Sequence, residues 1–152
     1  MIDIKRILFT TDFSDYSKYA LPYAVSMAQK YEAELHALYV VEPLNTPADF
    51  AWEVVSYEEI EEQHETHARE SLKTMIGKEV PEDLDTRVAV ERGQSVRQII
   101  SYAKEHSVDL LVMSTHGVTG LEHILFGSTT EKVVRKAPCP VLTVRHPDHN
   151  EE

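Results

Sequence analysis

Val108-Asp109-Leu110-Leu111-Val112-Met113 is apolar at nearly every position and gives way at once to Ser114-Thr115-His116-Gly117. A short run of this kind, ended by polar and glycine residues, is the pattern of a strand buried on both faces of a parallel sheet. The segments before it repeat the theme. Ser95 to His106 carries a helical pattern, and Thr86 to Glu91 reads as a strand. A longer helix precedes them, with Tyr57, Ile60, His64, Ala68, Ser71, Leu72 and Met75 tracing one face and Glu58, Glu59, Glu61, Glu62 and Glu65 the other. Residues 42 to 55, with Pro43, Pro47 and Trp52, form a connection. Before that come a strand over Glu34 to Val41, a helix over residues 16 to 31, and a strand over Ile4 to Thr11. The first helix places Tyr16, Tyr19, Ala20, Tyr23, Ala24, Met27, Ala28 and Tyr31 at helical spacing. Ser14 is placed to cap it, and Pro22 marks a kink or a weak point within it.

Beyond the opening run, Ser128 to Lys136 reads as a fourth helix and Pro140 to Arg145 as a fifth strand. Strands alternating with helices predict a doubly wound α/β fold, an open five-stranded parallel sheet flanked by four helices. One domain is expected over residues 1–146, followed by a polar tail over 147–152. Sheets of this kind take ligands beyond the carboxyl ends of the strands, where the strand order reverses. The residues after each strand are therefore the ones to question.

The 152 residues amount to about one domain, enough to bury roughly two-thirds of the unfolded surface. Five glycines, seven prolines and 42% apolar residues exclude collagen-like, low-complexity and disordered classes. Cys139, the single cysteine, stands between Pro138 and Pro140 and reads as an inert thiol of a reducing compartment. Neither a signal-peptide core nor an apolar run of about 18 residues is present, so a soluble, cytoplasmic protein is expected. The formal net charge of −11 disfavours nucleic acid and anionic membranes as partners. A small anion stays admissible, because screening over about 8 Å makes a pocket answer to its own groups.

Three of the five glycines, Gly117, Gly120 and Gly127, fall just after the fourth strand, and Gly127 leads into Ser128-Thr129-Thr130. A helix start exposes unpaired amides and a partial positive charge, and glycine lets an anion approach them closely. Phosphate binding and plain helix capping both account for this chemistry. Neither a phosphate-binding G-x-x-x-x-G-K-[ST] loop nor a dinucleotide G-x-G-x-x-G motif occurs.

These residues resemble the universal stress protein family along nearly the whole chain. Its nucleotide-binding members carry G-x2-G-x9-G-[ST] after the fourth strand. Here Gly117, nine residues and Gly127-Ser128 match the second half, while Ser114 replaces the first glycine. Asp12 matches the acidic residue after the first strand, and the proline-flanked ending Ala137 to Val144 matches as well. The resemblance implies an adenine nucleotide alpha hydrolase-like fold. It implies ATP, with Mg²⁺ or Mn²⁺, in the crevice between strands one and four. Asp12 and the backbone around Val40 would hold adenine, with Thr11 also in the site; Met113, Ser114, His116 and Gly117 would wrap the ribose and first phosphate; Gly127, Ser128 and Thr129 would bind the later phosphates. It also implies a homodimer through residues 141–144, whose apolar edge strand would otherwise be exposed. Ser114 is tolerated in this scheme where its φ is negative.

Other candidate chemistry is weaker. His64-Glu65-Thr66-His67 spaces its histidines at i and i+3, one residue short of the zinc-protease pattern, and reads as a solvated acidic face. His146 and His149 read as part of a polar C-terminal stretch. Asp12 serves equally as a helix cap, and His116 shapes the turn, with no carboxylate in its loop to orient it. Lys132, Arg135 and Lys136 suit the dipole at the end of their own helix and give no phosphoryl-transfer clamp. The expectation is a nucleotide-binding regulatory module of the stress response with no catalytic residue and no protein metal site. A slow ATPase and a ligand-free interaction dimer are the alternatives.

Overall fold

In the computed structural model, residues 1–43, 54–117 and 126–147 are described. The elements are β1 (Arg6–Thr10), α1 (Asp15–Tyr31), β2 (Glu34–Val41), α2 (Val54–Glu79), β3 (Thr86–Arg92), α3 (Ser95–Glu105), β4 (Leu110–Ser114), α4 (Ser128–Lys136) and β5 (Val141–Val144). The strands form one sheet in the order β3-β2-β1-β4-β5, every neighbouring pair parallel. This is the expected doubly wound fold. The chain builds outward from β1 through β2 to β3, then returns across the sheet to β4 and β5. Right-handed crossovers in opposite directions put their helices on opposite faces. Accordingly α1 and α2 cover Ile7, Phe9, Leu35, Ala37 and Val112, while α3 and α4 cover Leu8, Leu38, Leu111 and Met113. All five residues of β4 are buried, which explains why its sequence shows no polar alternation.

β2 and α4 have the bounds read from the sequence, and the other elements differ at one or both ends by one to four residues. β4 is displaced: Val108 and Asp109 precede it, and Ser114 is its last residue. The Asp109 carboxylate accepts from the backbone N–H groups of Lys5 and Arg6, so it ends the approach to two strands at once. α2 runs from Val54, inside the expected connection, to Glu79. Trp52 in that connection, Gly120, His149 and tail residues 148–152 lie outside the described residues.

α1 begins as expected. Ser14 is its N-cap, its hydroxyl accepting from the Ser17 N–H at 3.2 Å. Pro22 lies inside a helix that continues to Tyr31 without interruption. The buried stripe, however, is Ser17, Ala20, Leu21, Ala24, Val25 and Ala28, while Tyr23 and Tyr31 are exposed. Tyrosine at helical spacing misled the reading because a phenol is stable at a wet surface, whereas small alanines let the helix approach the sheet closely. A similar correction applies to α2. Ala68, Leu72 and Ile76 pack into the core, but Ile60 and His64 are exposed.

Candidate functional site

The strand order reverses between β1 and β4, and a cleft of about 580 Å³ opens there, at the carboxyl ends of the strands. That size is typical of small-molecule sites. All ten residues singled out from the sequence line it: Thr11, Asp12, Val40, Met113, Ser114, His116, Gly117, Gly127, Ser128 and Thr129. It also takes in Thr130, the third hydroxyl of the helix start, and residues that sequence reasoning did not assign to the site, notably Tyr39, Glu42, His64 and Ser95. Tyr39 and Glu42 were legible in principle, since they sit at and just beyond the end of the second strand. His64 was not, because it comes from a helix whose approach to the sheet is a tertiary matter.

The first wall is the turn from β1 into α1. The Thr11 N–H donates to the Leu38 carbonyl, continuing the sheet one residue past the strand. The Thr11 hydroxyl lies 2.8 Å from that of Ser17 and accepts from the Phe13 N–H at 3.0 Å. Asp12 Oδ1 accepts from both the backbone N–H and the hydroxyl of Ser14. Asp12 is therefore not the helix cap; it organises the residue that is. These bonds hold Phe13 at φ 64°, a left-handed conformation costly for a bulky residue, with its ring 4.7 Å from that of Tyr39.

The second wall joins β4 to α4. Ser114 is in the strand, outside the positive-φ residues, so a Cβ is accommodated where the family pattern has glycine. Its hydroxyl donates to the His116 carbonyl at 2.5 Å, and its own carbonyl accepts from the buried Thr130 hydroxyl at 2.9 Å. The Gly127 N–H donates to the Thr115 carbonyl at 2.7 Å, fixing the start of α4 beside the end of β4. His116 is buried, with Nδ1 3.0 Å from the Thr115 hydroxyl.

Two glycines face the cleft for different reasons. A side chain at Gly117 would run into the Asp12 carboxylate. At Gly127, φ is −62°, and an added Cβ would come no nearer than 3.5 Å to the Thr115 carbonyl oxygen. Gly127 is thus dispensable to the fold itself. It is the N-cap of α4, and among the described residues no side chain caps this helix. The first-turn amides of α4 consequently stand at the cleft with the positive end of its dipole behind them.

A cleft of this volume, a close-approach glycine at 117 and an uncapped helix start fit an adenine nucleotide. A divalent metal would be held through the nucleotide's own phosphates: among the described residues no group of three His, Cys, Asp or Glu side chains could hold one. His64 and His67 form no such group. Cys139 is half-buried, and burial pushes its thiol up, keeping it protonated. Among the described residues no helix is long and apolar enough to cross a membrane.

A model of the Universal stress protein family matches residues 3–145. The chain is 37% identical over 148 residues to universal stress protein MJ0531 of Methanocaldococcus jannaschii, covering 94% of this chain and 83% of that one. Among solved structures it is similar to the universal stress protein UspA from Lactobacillus plantarum, at 30% identity and a TM-score of 0.78, over 93% of this chain and 98% of that one. MJ0577 superposes with a TM-score of 0.83 at 25% identity, over 95% and 98%. More distant neighbours share the fold, among them universal stress proteins in complex with cAMP and with dAMP, each at a TM-score of 0.59.

Proposed function

The chain belongs to the universal stress protein family, and from that premise we propose that it is a regulatory nucleotide-binding module. An adenine nucleotide, ATP with Mg²⁺ or Mn²⁺ in the first instance, occupies the cleft between β1 and β4. Asp12, Thr11 and the backbone at Val40 take the adenosine end. Met113 to Gly117 border the ribose, and Gly127, Ser128 and Thr129 receive phosphate. The bound state biases the contacts of a cytoplasmic homodimer joined along β5, an edge strand whose first three residues are only half-buried.

The observation that carries this reading is the uncapped N-terminus of α4, pinned by the Gly127–Thr115 bond against the crevice floor. Glycine is itself a favoured N-cap residue, and without a side chain it leaves the first-turn amides of α4 open to a ligand. Slow ATP hydrolysis is the less favoured reading. No lysine or arginine is among the described lining residues to stabilise a transferring phosphoryl group.

Mass spectrometry of the purified protein should find a carried-over adenine nucleotide. Calorimetry with ATP should then give heat for wild type and little for Gly127→Val. The substituted backbone is already in the extended region that valine accepts, and circular dichroism checks that the variant folds. Equal heats would move the phosphates away from α4.

A further inference from the structure

Toward the amino ends of the strands, away from the cleft, the His36 imidazole is only 1% exposed and is walled in by groups that ionise. Tyr102 and His106 come down on it from α3, and Glu34 lies beside it on β2. Arg87 is its register partner on β3, and Arg6 reaches the Glu34 carboxylate from β1. His36 Nδ1 is 2.9 Å from the Tyr102 hydroxyl. Its Nε2 is 3.1 Å from Glu34 Oε2 but without the alignment of a hydrogen bond. That carboxylate is shared, with Arg87 Nε 3.4 Å from Oε1 and Arg6 Nε 3.9 Å from Oε2. The His106 ring stacks on that of Tyr102 at 3.9 Å and stands edge-on to His36 at 5.6 Å. Glu91, farther along β3, is felt by the Tyr102 phenol.

These surroundings select one tautomer. A lone pair on Nε2 would face a carboxylate, so the proton sits there and Nδ1 accepts from the Tyr102 hydroxyl. A second proton makes both ring nitrogens donors. Tyr102 can then no longer donate to His36, and its hydroxyl proton must turn away within a packed layer that includes Leu8 and Leu38. Glu34 answers the new charge only in part, being already engaged by two arginines. Burial holds the His36 ionisation below its ordinary value against the pull of Glu34, and Arg87 and a charged His106 add to that. Water is the available relief, and α3 is the element placed to admit it. This helix ends at Glu105, and the chain leaves through Ser107 at φ 49°, a left-handed conformation uncommon for serine. We propose that His36, Tyr102 and His106 form an acid-released latch: a second proton on His36 lifts the last turn of α3, Tyr102 to Ser107, off β2 while the sheet stays paired. The same helix begins at the cleft, where the Ser95 N–H donates to the Glu42 carboxylate at 3.1 Å, so the latch and the site share one element.

The test is hydrogen–deuterium exchange of the full chain at pH 7.5 and pH 5.0, read by peptide and corrected for the chemical exchange rate at each pH. The amides to follow are those of His106, Ser107 and Val108, which donate to the carbonyls of Tyr102, Lys104 and Ala103. In wild type they should lose protection by about fivefold or more in acid, while the amides of α1 stay within about twofold. His36→Gln presents an amide oxygen to the Tyr102 hydroxyl and takes no proton, so its α3 end should be equally protected at both pH values. Tyr102→Phe keeps the ring and loses the hydroxyl, so its α3 end should already be loose at pH 7.5. Wild-type protection at residues 106–108 that does not fall in acid overturns the proposal. A loss shared equally by α1 overturns it too, since that is general unfolding, and so does a His36→Gln chain that loosens as wild type does. The wild-type comparison of α3 with α1 stands even where a variant fails to fold.

Discussion

The Asp12 carboxylate fills the space into which a side chain at Gly117 would project, so the end of β1 and the loop after β4 meet at a contact where any larger residue requires Asp12 to shift. Two segments 105 positions apart in sequence (117 minus 12) are therefore coupled at the mouth of the cleft. Gly117→Ala should destabilise by about 1–3 kcal/mol through overpacking and weaken nucleotide binding. Combining it with Asp12→Ala should recover much of the stability and none of the binding. Urea denaturation of the two single variants and the double variant gives the coupling; strictly additive losses would dissociate the two positions.

Ser114 stands where the family pattern has its first glycine, and its hydroxyl satisfies the buried His116 carbonyl. Ser114→Ala removes the donor and should cost about 1–3 kcal/mol in urea-derived stability. Ser114→Gly restores the pattern but also frees the loop, so it should be no more stable than the alanine variant. A glycine variant as stable as wild type would show that the hydroxyl does not organise the loop.

At the other end of the sheet, His36 is buried between β2 and α3, its Nδ1 2.9 Å from the Tyr102 hydroxyl. Its Nε2 lies 3.1 Å from Glu34 Oε2, off the line that a hydrogen bond requires. Burial dominates and lowers the histidine below its ordinary 6.5, with the Glu34 carboxylate opposing the shift. The same burial pushes Tyr102 up to about 12. Glu34 is itself lowered below 4.5, first by its contact with His36 and also by Arg87 and Arg6. Since the unfolded chain binds the His36 proton more readily, its contribution is fully present above pH 6.5 and declines as pH falls below it. The Glu34 contribution declines in the same direction, at lower pH. Urea midpoints measured from pH 8 to 5 should fall on the acid side, and His36→Gln should flatten that slope below pH 6.5.

β5 is an edge strand with Val141, Leu142 and Thr143 half-buried. Sedimentation at micromolar concentration should give a dimer. Thr143→Glu, which would set like charges against each other across paired strands, should shift it to monomer. A wild-type monomer would remove the proposed interface.

The order of strands and helices was legible in the sequence because each local choice agreed with the fold. β4 is buried on both faces and is apolar at four of its five positions; Ser14 caps α1 as its chemistry demands. The cleft lies at the strand ends, where Gly117 could be read from the glycine cluster after β4, while Asp12 and Ser114 were singled out through the family resemblance. Tyr39 and Glu42 were missed only because they carry no motif. The presence of His64 at the cleft and the outward turn of Tyr23 and Tyr31 could not be read, since helical periodicity gives a face but not which way it points.

Local patterning alone thus determined the elements, their parallel order and the glycine-rich segment after β4, because hydrophobic period and capping are properties of neighbouring residues. Only the folded chain decided that Gly117 answers to Asp12, that Ser114 ties down His116, and that two carboxylates share the cleft. Those relations join segments far apart in sequence, and they exist only once the crossovers have brought β1, β2 and β4 side by side.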